Sequence, residues 1–114
     1  MPFVFRGNIN GEVSSTVYNL PFKIKFFTVA NKNGGQVNIN IWIKNNSEQL
    51  SIVPENLSLN DGDMLQGDYA QIFEAGNQIV LSSNGSVDFY FTVENVLPPE
   101  NVSINIENVL PTPT

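Results

Sequence analysis

The chain has 114 residues, a formal net charge of −6, 41% hydrophobic and 11% aromatic residues, and neither Cys nor His. That length suits one domain with a continuous apolar core and excludes two full ones. The missing thiols and imidazoles remove disulfides, Cys/His zinc sites, thiol nucleophiles and every triad built on an imidazole base, and the acidic balance argues against charge-driven binding to a nucleic-acid backbone.

In chain order, VFR near the start and VSSTVYN (13–19) read as weak strands. The opening MPFVFRGNIN carries neither a long apolar run nor a basic leader, and no stretch approaches a membrane span, so a soluble, unexported product is expected. PFKIKFFTVAN (21–31) is rich in β-formers, and QVNINIWI (36–43) alternates strictly, with Val37, Ile39, Ile41 and Ile43 on one face. NKNGG between them tolerates positive φ, so residues 22–43 are expected to form a hairpin. QLSIV (49–53) is another weak strand. Asp61-Gly62 is expected to turn the chain between LSL and MLQ, and DYAQIFEA is the one segment with any helical character.

The strongest signal in the second half is SVDFYFTVE (86–94), with Val87, Phe89, Phe91 and Val93 inward. It follows QIVLSS (78–83) across Asn84-Gly85, a dipeptide that predicts a second hairpin. Beyond Pro98 and Pro99, NVSINIE (101–107) predicts a last strand, and NVLPTPT an extended tail. ENVLP recurs at 94–98 and 107–111 as a repeated strand exit. Seven to nine short strands with regular turn signals predict an all-β fold, an antiparallel β-sandwich of jelly-roll or immunoglobulin-like type. Residues 1–97 would form the sandwich domain; residues 98–114 would supply the final strand and the proline-rich tail.

The charges are unevenly placed. All five basic side chains (Arg6, Lys23, Lys25, Lys32, Lys44) lie in residues 1–44 with Glu12 as the sole acid, and the other ten acids follow. Two readings stay open: local neutralisation as the halves interleave, or a bipolar surface made for packing against partners.

Asp61, Asp63 and Asp68 crowd together, but an EF-hand loop begun at Asp61 would place Leu65 and Gln66 where an oxygen ligand and a glycine are required. Turn residues explain the cluster better, and no metal or cofactor is expected. Carboxylate pairs are the only remaining catalytic device, and so small a domain has little material for a deep cleft; the expectation is no enzymatic activity. Trp42 and Tyr90 fall on the polar faces of the two best strands, where adjacent aromatics would make a sugar platform. Lys23 and Lys25 share an outward face, suited to guarding a strand edge or meeting an acidic neighbour. With Asp88 they complete the candidate interaction surface. Val109, Leu110, Pro111 and Pro113 form a candidate docking tail.

The run from TVYNLPFKIKFFTVANKNGGQVNINIWI through LSLNDGDML to IFEAGNQIVLSSNGSVDFYFTVE, within residues 16–94, resembles the small β-sandwich structural proteins of tailed-bacteriophage virions. The shared features are scaffold turns and strands, and the departures lie at both ends. The resemblance implies an auxiliary, decoration, neck or tail component of a virion, made in the bacterial host cytoplasm and packed against other virion proteins as a homo-oligomer, with no nucleic-acid or membrane partner. A carbohydrate-binding module using the surface aromatics is the alternative.

Overall fold

The structure is a computed structural model that describes residues 2–68 and 71–96. The chain forms β1 (Pro2–Ser14), β2 (Phe22–Asn31), β3 (Val37–Lys44), β4 (Gln49–Ser51), β5 (Leu57–Leu59), β6 (Met64–Gly67) and β7 (Gln78–Asn95). All pairings are antiparallel and all seven strands belong to one sheet, ordered β4-β3-β7-β2-β6, with β1 on the other edge of β7 and β5 beside β3. The fold is therefore all-β and antiparallel, as the alternation of apolar residues requires, and the described residues contain no helix. The expected final strand at 101–107 lies outside the described residues.

Both expected hairpins are replaced by a different arrangement. Asn84-Gly85 is not a turn: β7 runs through it for 18 residues. A two-residue type I′ turn needs positive φ at both centres, and neither residue has it. The odd positions of β7 from Ile79 to Val93, Ser83 and Gly85 among them, are all buried, so the pleat never loses its beat. Nor do β2 and β3 pair with each other. They lie end to end along one edge of β7, with Asn31 opposite Val87 and Ile39 opposite Ser83. The intervening loop closes over residues 84–86: Lys32 N donates to Ser86 O at 3.0 Å, Ser86 N to Asn33 Oδ1 at 3.1 Å, and Asn38 N to Asn84 Oδ1 at 2.8 Å.

Gly85 is what the closure needs. A Cβ there would stand 2.5 Å from Val37 Cγ1 and 2.7 Å from the Asn33 amide, so the loop reaches β7 only over a residue without a side chain. The Asp61-Gly62 turn does form: Asp63 N donates to Asn60 O at 3.0 Å and Gly62 has φ 81°. It carries the chain from β5, paired with β3, to β6, paired with β2. Asn31 anchors the junction. Its buried amide donates to Gly35 O at 2.8 Å and to Leu59 O and Asn60 O at 3.0 Å, while its Oδ1 accepts from Asn33 N at 2.8 Å.

Because β7 changes neighbours halfway, the sheet curls and its inner face encloses one apolar cluster. Ile39, Ile41, Leu81, Val87, Phe91 and Val93 are wholly inaccessible, each contributing roughly 1.5–3 kcal/mol before chain entropy is counted. Phe27 stacks on Phe91 at 5.3 Å between centroids, and Phe5 meets Phe89 at 4.9 Å. Tyr18, Phe22 and Phe73 form a second aromatic group, with Phe22 and Phe73 exchanging backbone hydrogen bonds of 2.9 and 2.7 Å. That bridge makes the Phe73 end of DYAQIFEA extended rather than helical. VSSTVYN is likewise no separate strand: β1 ends at Ser14, and Tyr18 enters the core from a loop.

Candidate interaction surface

The outward face of β1, β7, β2 and β6 gathers most of the residues expected to make contacts. Register sets them in rows: Arg6, Tyr90, Thr28 and Gln66 in one, and Asn8, Asp88, Ala30 and Met64 in the next. Val4, Thr92 and Phe26 form another row, and Glu94 lies opposite Lys23. Val4, Phe26, Met64 and Tyr90 are all between 43% and 53% exposed, a density of open apolar side chains that marks contact surfaces.

Phe26 is there because of a β-bulge. Register shifts between Ile24 and Phe26, so Lys25 is the extra residue and the inward set passes from Phe22 and Ile24 to Phe27 and Val29. Lys25 and Phe26 both face out. Lys23 Nζ and Lys25 Nζ approach Glu94 Oε1 at 3.8 and 3.9 Å, and Lys32 Nζ approaches Asp88 Oδ2 at 3.0 Å. Asn8 Nδ2 donates to Asp88 Oδ1 at 2.8 Å, and this bond, with Lys32, holds the Asp88 carboxyl below the usual carboxylate range. Exposed pairs of this kind contribute about 0–1 kcal/mol each. Their effect is to fix charge at the rim of an apolar strip.

Trp42 is elsewhere. It faces Val80 on β7 and Ser51 on β4, half-buried. From Val80 to Tyr90 is about 30 Å of strand at ~3.3 Å per residue, so Trp42 and Tyr90 do not share one platform. The docking tail of Val109, Leu110, Pro111 and Pro113 lies outside the described residues.

A groove of about 410 Å³ opens between β4 and the segment 71–77, floored by Ile43, Ile52 and Phe73 and flanked by Leu50 and Ile72. Two of its polar side chains are occupied locally: Asn45 Nδ2 donates to Asn77 Oδ1 at 3.0 Å, Asn77 Nδ2 to Glu74 O at 2.9 Å, and Asn45 Oδ1 accepts from the backbone of Ser47 and Glu48. Leu50 and Ile72, 56% and 53% exposed, are the residues that sequence reasoning passed over; QLSIV gave a strand, with no sign that its leucine faces out. Scanning family models and searching curated proteins gave no match for this chain.

Proposed function

We propose that this chain is a non-catalytic assembly protein that packs against other protein subunits, in the auxiliary or decoration role that its resemblance to phage virion proteins implies. The observation that carries the reading is the exposed set of Val4, Phe26, Met64 and Tyr90 on a sheet face where Lys23, Lys25, Lys32, Asp88 and Glu94 are paired with one another and Arg6 is left open to a partner. A stiff sheet whose outer face sets Val4, Phe26 and Tyr90 between the paired charges of the Glu94 and Asp88 rows suits a protein contact. In this role the chain acts through shape, and the rim charges set orientation on the partner.

Mass spectrometry of purified particles, with copy number counted against the major capsid protein, tests the proposal. Hundreds of copies would make it a shell component and a few a neck or tail component; no stoichiometric amount ends the virion reading. Phe26→Asp with Tyr90→Asp should abolish incorporation of a chain that still folds, and undiminished incorporation would show that this face is not the contact.

A further inference from the structure

Among the described residues β1 is the long strand with an unpaired edge. It has 13 residues and, Asn10 apart, they pair with β7 alone, whereas β4 and β5 have 3 residues each and β6 has 4. Proteins usually shorten an edge strand, bulge it, or furnish it with Lys or Pro. Past Pro2, β1 has no Lys or Pro, and the irregularity in its pairing, between Ile9 and Gly11 (φ 136°), is taken up by β7, which passes three residues opposite Asn10; its two charges are Arg6 and Glu12, of opposite sign. Both are exposed and, unlike Lys23, Lys25 and Lys32, neither makes an ion pair within the described residues. The inward side chains Phe3, Phe5, Ile9 and Val13 pack on the core but remain partly open, while their partners Val93, Phe91, Val87 and Leu81 are inaccessible. The apolar interior is thus incompletely covered along this edge.

We propose that β1 pairs antiparallel with β1 of a second copy across a two-fold axis at Ile9, joining the two curled sheets edge to edge. This deepens the assembly reading above and rests on it, naming a second copy as the partner and the open edge of β1, which borders the outward face, as the surface. The strand's own sequence selects the register. Keeping inward residues opposite inward ones allows only shifts of two residues. The register centred on Ile9 sets Arg6 against Glu12 of the second copy, and the symmetry makes that pair twice. It also sets Phe5 against Val13 and Gly7 against Gly11. The neighbouring registers put Arg6 against Asn10 or Ser14 and lose both ion pairs. A two-fold contact of this kind closes on itself as a dimer rather than growing a fibre, and its backbone bonds are those of strand addition.

The test is a charge swap. At about 100 μM, a concentration at which micromolar self-association is read easily, light scattering should give the wild type twice the 12.6 kDa mass of one chain. Arg6→Glu and Glu12→Arg should each weaken the dimer roughly tenfold or more, since each sets like charges opposite each other twice. The double variant R6E/E12R should recover it, which a merely misfolded chain would not do. Ile9→Cys should cross-link to its own copy under mild oxidation or with a short bis-maleimide; the chain has no other Cys. A monomeric wild type with no cross-link at position 9, or a dimer indifferent to both single swaps, overturns the pairing. A chain that is stoichiometric in particles but fails these tests leaves the assembly reading standing and removes this one. A swap-sensitive dimer absent from particles does the reverse.

Discussion

Gly85→Ala, made alone and with Val37→Ala, tests the continuity of β7 directly. The added methyl would lie 2.5 Å from Val37 Cγ1 and 2.7 Å from the Asn33 amide, both far inside contact distance. Val37 is β-branched and inaccessible, so it gives way poorly; Asn33 can move, but only by releasing its 3.1 Å bond from Ser86 N. Overpacking of this kind costs about 1–3 kcal/mol. Alanine at a position without positive φ returns about 0.4–1 kcal/mol through the unfolded chain, so the net loss is on the order of 1–2 kcal/mol, or roughly 4–8 °C in Tm at this size. Val37→Ala alone removes two buried methyls at about 1.5–3 kcal/mol. In that background the clash with Val37 is gone and only the one with Asn33 remains, so Gly85→Ala should cost clearly less there, a coupling of order 1 kcal/mol. Urea titration followed by Trp42 fluorescence, on all four chains, reads the cycle. An equal penalty in both backgrounds would mean that glycine is required for its backbone conformation, as in a hairpin turn, and the continuous strand would be wrong.

Three further outcomes follow from single groups. Asn31→Ala removes the amide from the Gly35 and Leu59 carbonyls and the Asn33 N–H and leaves Asn60 O to Asp63 N, and should cost about 2–4 kcal/mol in urea; a change under ~0.5 kcal/mol would show that water replaces the amide freely. Asp88 is held below the usual carboxylate range by Asn8 and then Lys32, so its contribution is present above about pH 4 and fades as pH falls through the lower folded value. Asn8→Ala should move the NMR titration of Asp88 upward, and an unmoved midpoint would contradict the assignment. Burial raises the Tyr18 phenol above its ordinary value, with Ser15 partly offsetting it. Stability linked to Tyr18 is therefore intact below about pH 10 and lost as pH rises through the higher folded value. Tyr18→Phe should remove that alkaline dependence in melts between about pH 9 and 11, and a profile unchanged by the substitution would refute it.

The inward faces were legible from the alternation alone. Val37, Ile39, Ile41 and Ile43, then Val87, Phe89, Phe91 and Val93, are inside as their spacing requires. What failed was the inference from local turn chemistry to connectivity. Asn84-Gly85 and NKNGG each carry the composition of a hairpin loop. Here that composition serves a different need: a glycine where the loop at 32–36 must touch a strand, and an asparagine whose Oδ1 receives Asn38 N. Mean strand length also misleads, since about 5–6 residues is usual and β7 has 18. Its length is sustained by β1 on one edge and by β2 and β3 in succession on the other, a condition that no local window contains.

The surface was legible where it depends on parity and opaque where parity breaks. Tyr90 and Asp88 could be placed outward because β7 keeps its beat. Phe26 could not, because in FKIKFFTVAN only the one-residue bulge at Lys25 decides which of two adjacent phenylalanines is buried, and the bulge is fixed by where β2 meets Thr92 and Phe91. β1 is the extreme case. Gly7, Asn8, Asn10 and Gly11 dilute its β-propensity until it reads as a short strand and a separate later one. It is a strand because β7 offers it a template, with three residues of β7 bulging past Asn10 where the sheet curls. Structure imposed from one side leaves the other side's backbone groups without a strand partner among the described residues. The weak sequence signal of β1 and its open edge thus have one cause: this strand is specified by what it pairs with, and the described chain supplies only one such partner.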